Sequence, residues 1–226
     1  MCYNNFMEVV DMPDNSFILQ QPNDSRILYL NGDVEDTNIS QVCKDLLNII
    51  EEDKKGLEKF RDYKLLPIKL YVQSYGGSIN DMWALIDIIE SSTTPIITYC
   101  SGYCMSAAAL IFLAGHYRCM YKHSSIMFHQ MFVATFGKIM DFNLEQKQFD
   151  NMHRDMIKYI KKHTKLTKKF FHKMVDMKRD MYLDAKQCLK HGVCDSIIDN
   201  SDIRSDIKKQ LTIILNQQEC GGLEDE

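Results

Sequence analysis

The stretch that decides the fold is PIKLYVQSYGGSINDMWALIDII, residues 67–89. Its first seven residues alternate and are rich in strand-forming side chains, so they predict a β-strand. Gly76 and Gly77 follow, and two consecutive glycines allow a sharp backbone turn. Ser78 can then cap a helix whose apolar side chains recur at helical spacing. The buried face of that helix is predicted to hold Ile79, Met82, Trp83, Ile86 and Ile89.

The same alternation of strand and helix continues on both sides of this stretch. Further strands are predicted at 27–30, 95–100, 118–121, 126–128, 181–183 and 193–198, and further helices at 40–51, 106–114 and 141–162, with two shorter ones on either side of residue 182. The helix at 40–51 is predicted to bury Val42, Leu46, Leu47 and Ile50. Gly102 is predicted to end its strand, and residues 51–64 are interpreted as a solvated helix end and a surface loop.

This order of elements predicts an α/β domain with a mainly parallel sheet. The mixed, polar residues 1–25 are interpreted as a flexible N-terminal arm. Residues 26–200 are interpreted as a single domain, and residues 201–226 as a polar C-terminal tail.

Composition excludes several classes of protein. The chain has 226 residues, 45% of them apolar, which is enough for a sizeable core and argues against disorder. A net charge of −4 argues against nucleic acid as the main partner. No secretory signal is visible, and the longest apolar run, Met105 to Gly115, is too short for a membrane helix. We therefore expect a soluble, cytoplasmic protein without a membrane partner.

The eight cysteines include no Cys-x-x-Cys pair and are interpreted as buried free thiols in a reducing compartment. A metal site could be assembled from Cys104, His116, Cys119 and His123, but their spacing matches no known zinc pattern, so no metal is expected.

Two features match the needs of acyl transfer. The glycine pair at 76–77 can expose backbone N–H groups beside a helix N-terminus, as an oxyanion hole requires; the alternative is a plain turn. Ser106 opens a fully apolar helix and can be either its N-cap or a nucleophile. In the second case the N–H of Ala107 faces the same space as the Ser106 hydroxyl.

A general base and an orienting carboxylate complete such a site. His129 ends an apolar strand and is the best placed of the seven histidines, although a histidine bonded within the core is the alternative. Asp176 and Asp180 both precede the strand at 181–183, and the residues alone do not decide between them. Three other histidines are interpreted as surface residues: His153, His163 and His172.

Five segments, in this order, resemble the proteolytic subunit of the Clp protease. They are RILYLNGDVED, GGSINDMWALIDII, SGYCMSAAALIFLAG, SSIMFHQ and KRDMYLDAKQCLKHGVCDSII, and the similarity runs from about residue 26 to 198. The resemblance implies a crotonase/ClpP-like fold of stacked βαβ units with a protruding long helix, the handle, at about 141–162.

The resemblance also implies roles for individual residues. Ser106 matches the family's nucleophile, and His129 matches the general base in a Met-x-His-Gln motif. Asp180 matches the orienting acid, which resolves the choice left open above. Gly77 and Ala107 match the backbone donors of the oxyanion hole. Arg179 matches an arginine that senses contact between rings.

The implied function is that of an ATP-dependent, Clp-type serine endopeptidase, a hydrolase that cleaves unfolded polypeptides and peptides inside a closed chamber. The family resemblance implies a homo-oligomer of two stacked heptameric rings, fed by a hexameric AAA+ unfoldase. ATP would be used by that partner, so no cofactor is expected on this chain. The segment MFVATFG, residues 131–137, would supply a strand near the ring contact.

The chain departs from the family pattern in places that bear on substrate and partner. Tyr75 and Met131 stand where proline is usual, and both border the groove for substrate. Ser106 and His129 are 23 residues apart, slightly fewer than usual. Residues 51–64 are interpreted as a lengthened loop, and the N-terminal arm does not match the family's axial loop.

Three alternative functions remain. A non-catalytic ring subunit would lack a triad residue. A crotonase-type acyl-CoA enzyme would use the two-amide oxyanion hole and leave the serine and histidine idle. The lysine-rich segment from Lys158 to Lys173 could bind acidic partners, or it could be a solvated helix face.

Overall fold

The computed structural model describes residues 26–132 and 139–199, with residues 139–145 described by their backbone. Its strands are β1 (Ile27–Asn31), β2 (Ile68–Ser74), β3 (Ile96–Met105), β4 (Tyr117–Tyr121), β5 (Ser125–Phe128), β6 (Met181–Asp184) and β7 (Ser196–Ile198). Its helices are α1 (Asp36–Lys59), α2 (Ile79–Ser91), α3 (Ala107–Ala114), α4 (Ile139–His163), α5 (Lys168–Phe171) and α6 (Ala185–Lys190), and a π-helical turn, His172–Asp176, continues α5. The predicted N-terminal arm, the C-terminal tail and the strand at 131–137 fall wholly or mostly outside the described residues.

The predicted α/β architecture with a mainly parallel sheet is confirmed. One sheet has the order β1-β2-β3-β4-β7, with every neighbouring pair parallel. The far end of β3 leaves β4 and pairs with β5, which in turn pairs antiparallel with β6. The candidate site lies at the end of β3 that pairs with β5.

Strand β3 does not end at Gly102, so that prediction was wrong. The strand continues to Met105 through a bulge. Val72 of β2 is aligned with Cys100 of β3, but Ser74, two residues on, is aligned with Cys104. Gly102 has a φ of +91°, which suits a glycine within a bulge, and its N–H donates to Ser124 Oγ at 2.9 Å. Glycine here bends the strand without ending it, and the strand therefore extends to Met105, directly before Ser106.

Helix α1 is longer than predicted, and residues 51–59 are its last turns rather than a loop. Asp53 and Gly56 lie on its buried side, so the apparently charged segment has an inward face. The Tyr63 ring folds back against the helix and lies so close to Gly56 that a Cβ added there would be 2.4 Å from the ring. Leu47, predicted to be buried, is 52% exposed, whereas Ile49 is buried.

A buried ion pair fastens α1 to the start of the domain. The Arg26 guanidinium binds both carboxylate oxygens of Asp53 and also donates to the Leu66 carbonyl at 2.6 Å. Thr94 Oγ1 and the Tyr63 hydroxyl donate to the same carboxylate at 2.6 and 2.7 Å. Burial raises the pKa of Asp53, but these hydrogen bonds and the guanidinium outweigh it, so the pKa lies below its ordinary value.

The core lies on one side of the sheet, around α3. All eight residues of α3 are buried, and the helix contacts α2, α4 and β3. Along β3, β5 and β6, buried side chains alternate with exposed or half-buried ones, so the other face of these strands is open in the single chain. No helix in the described part of the chain is both long and apolar enough to cross a membrane.

Replacement of Asp53 by asparagine should leave the Arg26 charge buried without its partner. We expect Asp53→Asn to lower the free energy of unfolding by about 3–5 kcal/mol at pH 7. Because the folded-state pKa is depressed, the stabilisation is present above about pH 4 and is lost as the pH falls through the folded value. Urea denaturation at pH 7 and in steps down to pH 3 measures both effects.

The matched control is Asp155→Asn, which removes an exposed ion pair with Lys158 on α4. That variant should change the free energy of unfolding by no more than about 0.5 kcal/mol. The role of the buried pair would be contradicted if both variants lost the same free energy of unfolding. It would also be contradicted if the difference in free energy of unfolding between Asp53→Asn and the original chain did not become smaller in acid.

Candidate active site

Ser106 stands between the end of β3 and the start of α3 in an unusual backbone conformation. Its φ is +54°, in the left-handed region that non-glycine residues rarely occupy. Its side chain makes no capping hydrogen bond to the helix, so the N-cap interpretation does not describe its hydroxyl. The Ser106 N–H instead donates to the Met127 carbonyl of β5 at 2.9 Å.

The structure brings the Ser106 hydroxyl to the His129 imidazole. His129 Nε2 and Ser106 Oγ are 2.7 Å apart, a hydrogen-bond distance. The pairing of β3 with β5 brings these two residues near each other, because Met105 of β3 is aligned with Met127 of β5. Ser106 directly follows β3, and His129 directly follows β5. A hydroxyl bonded to an imidazole is the arrangement that activates a serine as a nucleophile.

The glycine turn touches Ser106 through its backbone. Gly76 has a φ of +102°, and a Cβ there would lie 2.7 Å from the Met105 carbonyl oxygen and 2.8 Å from Ser106 Cβ. Gly77 has a φ of +150°, and a Cβ there would lie 2.3 Å from the Val34 carbonyl oxygen. Any side chain at either position would push the turn away from its neighbours, so the close approach requires glycine.

Hydrogen bonds hold this turn in place. Val34 N–H donates to the Gly76 carbonyl at 2.8 Å, and Ser78 N–H donates to the Val34 carbonyl at 2.7 Å. Among the described residues, the N–H groups of Gly77 and Ala107 have no hydrogen-bond acceptor. Both N–H groups therefore remain available at the head of a helix, where backbone donors suit a developing negative charge.

Strand pairing, but not a side-chain contact, relates Asp180 to His129. β5 and β6 run antiparallel with Phe128 aligned to Met181, so the next pair along the ladder is His129 and Asp180. The Asp180 side chain is exposed, and within the described residues it makes no hydrogen bond to the imidazole. Asp176 instead accepts a hydrogen bond from His172 Nδ1 at 2.7 Å, away from this ladder. The register favours Asp180, whose orienting role stays a prediction.

Arg179, predicted to sense ring contacts, is exposed in the segment that leads into β6. Its N–H donates to the Lys173 carbonyl at 3.1 Å, and Lys178 before it has a φ of +51°. A single chain contains no ring contact, so the role predicted for Arg179 stays a prediction.

Two of the three histidines interpreted as surface residues are half-buried on α4. His163 Nε2 lies 3.2 Å from Glu90 Oε1, and burial lowers its pKa more than Glu90 raises it. Both ring nitrogens of His153 are buried and have no hydrogen-bond partner in the part of the chain that the structure describes, and burial lowers the pKa of this imidazole. The surface interpretation was wrong for these two, because each lies on the half-buried side of a helix that packs on α3. His172 is exposed as predicted.

The described cysteines are free thiols, as predicted, and five of the six are buried. Burial raises the pKa of Cys194 to about 11 and that of Cys188 further, so both remain protonated at neutral pH. The described residues contain no group of three or more side chains suited to hold a metal ion.

Sequence reasoning missed two participants in this region. The Val34 backbone, which clamps the glycine turn, carries no local signal, because any residue type can supply a carbonyl and an N–H. Tyr75 stood out as a departure from the family, but its contact with Tyr103 depends on the pairing of β2 with β3.

Comparison with known proteins identifies relatives of the whole domain. The family model described as Clp protease matches residues 14–201. An ATP-dependent Clp protease proteolytic subunit from Carsonella ruddii is 28% identical over 175 residues, which cover 76% of this chain and 84% of the relative. Subunit 2 from Corynebacterium efficiens is 30% identical, over 76% of this chain and 82% of its own.

A solved structure shares the fold. A ClpP1 variant from Listeria monocytogenes superimposes with a TM-score of 0.65 at 22% identity, covering 79% of this chain and 94% of the other.

A methyl group at Gly76 should displace Ser106. We expect Gly76→Ala to slow the labelling of Ser106 by a fluorophosphonate, which reacts with activated serine hydroxyls, by about 100-fold or more, because small displacements of reacting groups are this costly. Intact-protein mass spectrometry over time measures the rate, and circular dichroism verifies that the variant is folded.

Gly102→Ala is the matched control. Gly102 also has a positive φ, +91°, but the nearest atom to its added Cβ would be 3.7 Å away on the Gln73 side chain. This variant shares the backbone penalty without the clash and should label at close to the original rate. An equal loss of labelling in both variants would show that the contact with Ser106 is not what matters.

Proposed function

Because the chain belongs to the Clp protease family, we propose that it is a serine endopeptidase, the proteolytic subunit of an ATP-dependent Clp-type assembly. The observation that carries the proposal is the 2.7 Å contact between the Ser106 hydroxyl and His129 Nε2. The Ala107 N–H directly follows Ser106, and the Gly77 N–H directly follows Gly76, where an added Cβ would meet Ser106; neither N–H has an acceptor among the described residues. Together these groups meet the chemical needs of peptide-bond hydrolysis through an acyl-enzyme.

In the proposed reaction, Ser106 Oγ attacks the carbonyl carbon of the scissile peptide bond while His129 Nε2 accepts the hydroxyl proton. The carbonyl oxygen becomes negatively charged and is stabilised by the N–H groups of Gly77 and Ala107. The imidazolium then gives its proton to the departing amine, and the C–N bond breaks. A water molecule, deprotonated by the same imidazole, hydrolyses the ester and restores Ser106.

Asp180 is proposed to orient the imidazole and stabilise its protonated form. The register of β5 with β6, continued by one pair beyond Phe128 and Met181, sets Asp180 opposite His129, which supports this role.

The family relationship supports a ring-shaped assembly. In its finer form the proposal is two stacked heptameric rings with the active sites inside, joined by the handle helix α4 and by contacts near Arg179. Unfolded polypeptides are then the substrates, and a hexameric AAA+ unfoldase that consumes ATP delivers them. A cytoplasmic location is part of the same proposal. The printed names of the relatives, ATP-dependent Clp protease proteolytic subunits, support it.

The alternative functions explain less. A non-catalytic ring subunit has no need of a serine held at a φ of +54° in contact with an imidazole. A crotonase-type acyl-CoA enzyme would use the glycine turn and leave that contact idle. The peptidase assignment uses both features.

Removal of the nucleophile or the base should abolish turnover. We expect Ser106→Ala and His129→Ala each to lower kcat for a fluorogenic peptide by several orders of magnitude, because the two groups act as a unit. Asp180→Asn should remain folded and lose about 10⁴-fold. Asp176→Asn is the matched control, since Asp176 pairs with His172, and it should retain activity.

Peptide cleavage that persists in purified Ser106→Ala would contradict the proposed chemistry. A loss in Asp176→Asn equal to that in Asp180→Asn would contradict the assignment of the orienting acid.

Assembly can be tested separately. Two stacked heptamers of the 26.4 kDa chain would form a particle of about 370 kDa in analytical ultracentrifugation. Arg179→Ala should shift the particles toward single rings or smaller species, whereas Arg61→Ala, at an exposed position between α1 and β2, should not. A monomer at all concentrations would contradict the ring assembly without touching the proposed chemistry.

A further inference from the structure

Two tyrosines form an open aromatic pair at the edge of the glycine turn. The rings of Tyr75 and Tyr103 stack with centroids 4.3 Å apart and an interplanar angle of 29°. Tyr75 nevertheless remains 63% exposed, so much of its ring is open to solvent in the single chain. An exposed, pre-stacked aromatic ring offers an apolar surface that is already ordered, which lowers the entropy cost of binding another flat group.

The pair is next to Ser106 along both strands. Tyr75 directly precedes Gly76, whose backbone touches Ser106. Tyr103 lies three residues before Ser106 on β3, which corresponds to about 10 Å along a strand. Residues of an extended peptide repeat at about 3.3 Å, so a side chain within a few residues of the scissile bond can reach the pair.

The pair also lies on the same face of the sheet as the imidazole. Cys104 of β3 and Phe128 of β5 are buried on the core side, so their neighbours along each strand project to the other side. Tyr103 and His129 are such neighbours. A peptide lying over the Ser106 hydroxyl on this face would pass the tyrosine rings.

The exposed member of the pair, Tyr75, carries no charge at neutral pH. The nearby Tyr103 hydroxyl raises the pKa of Tyr75 above its ordinary value near 10, so Tyr75 stays protonated under physiological conditions. The surface therefore offers ring faces and hydroxyls rather than an ion-pairing partner, and it suits planar apolar side chains better than charged ones.

We propose that Tyr75 and Tyr103 form a substrate subsite that receives an aromatic side chain of the peptide, Phe, Tyr or Trp, beside the scissile bond. This inference rests on the proposed peptidase function and adds a substrate preference to it. Tyr75 is the determining residue because it supplies the open ring, and Tyr103 holds that ring in position.

The test uses quenched fluorescent peptides that are identical except for Phe or Ala at one position, moved in turn along the three residues on each side of the cleavage site. The full-length chain should cleave the Phe peptide about 10-fold more efficiently, in kcat/KM, at one of these positions, since an aromatic contact adds to the area buried. Mass spectrometry of the products identifies the position.

Three variants separate stacking from general effects. Tyr75→Ala should reduce the Phe/Ala ratio to below about 2-fold, and Tyr75→Phe should retain it, because the ring remains. Tyr29→Ala is the matched control: Tyr29 is 59% exposed and stacks on Tyr71 at 5.3 Å, but on β1, away from Ser106. It should leave the ratio unchanged even if overall activity changes.

The outcomes distinguish this inference from the proposed function. If the original chain cleaves peptides but shows no aromatic preference, or if Tyr75→Ala retains the preference, the subsite is wrong and the peptidase assignment stands. If Tyr75→Ala also loses fluorophosphonate labelling of Ser106, Tyr75 supports the turn and is not a subsite. If the original chain neither cleaves peptides nor labels at Ser106, the proposed function fails and the subsite fails with it.

Discussion

The candidate site depends on one steric constraint, the absence of a side chain at Gly76 and Gly77. The turn they form lies between the backbone of Val34 on one side and Ser106 on the other, at distances that leave no room for a Cβ. Backbone hydrogen bonds to Val34 then determine where the turn sits. The Gly77 N–H is thus positioned by main-chain contacts, which tolerate changes in surrounding side chains better than a donor on a flexible side chain would.

The second requirement is that the central strand reach the site. β3 passes Gly102 through a bulge, leaves β4 and forms a short ladder with β5. That ladder ends in the hydrogen bond from Ser106 N–H to the Met127 carbonyl, two residues before His129. Hydroxyl and imidazole come from segments separated by α3 and β4, and the pairing of β3 with β5 brings the ends of those segments together. The fold therefore supplies the nucleophile and base as a consequence of its sheet topology.

Local patterns predicted most elements, because periodicity is a property of a single segment. The helix from Ile79 and the strand from Ile68 follow directly from it, and Ser106 and His129 could be chosen as polar groups at the ends of apolar runs. Patterns failed where a distant partner decides the outcome. The charged segment around Asp53 predicts a solvated surface, whereas Asp53 is buried against Arg26, 27 residues earlier in the chain.

Relations between strands are likewise absent from local sequence. The contact of Tyr75 with Tyr103 and the alignment of Asp180 with His129 require the register of β2 with β3 and of β5 with β6. The most direct test of the central claim is a crystal structure of the chain after reaction with a fluorophosphonate. The account predicts phosphorus bonded to Ser106 Oγ and a phosphonyl oxygen about 2.7–3.1 Å from the N–H nitrogens of both Gly77 and Ala107. An adduct on another residue, or a phosphonyl oxygen directed away from both N–H groups, would contradict it.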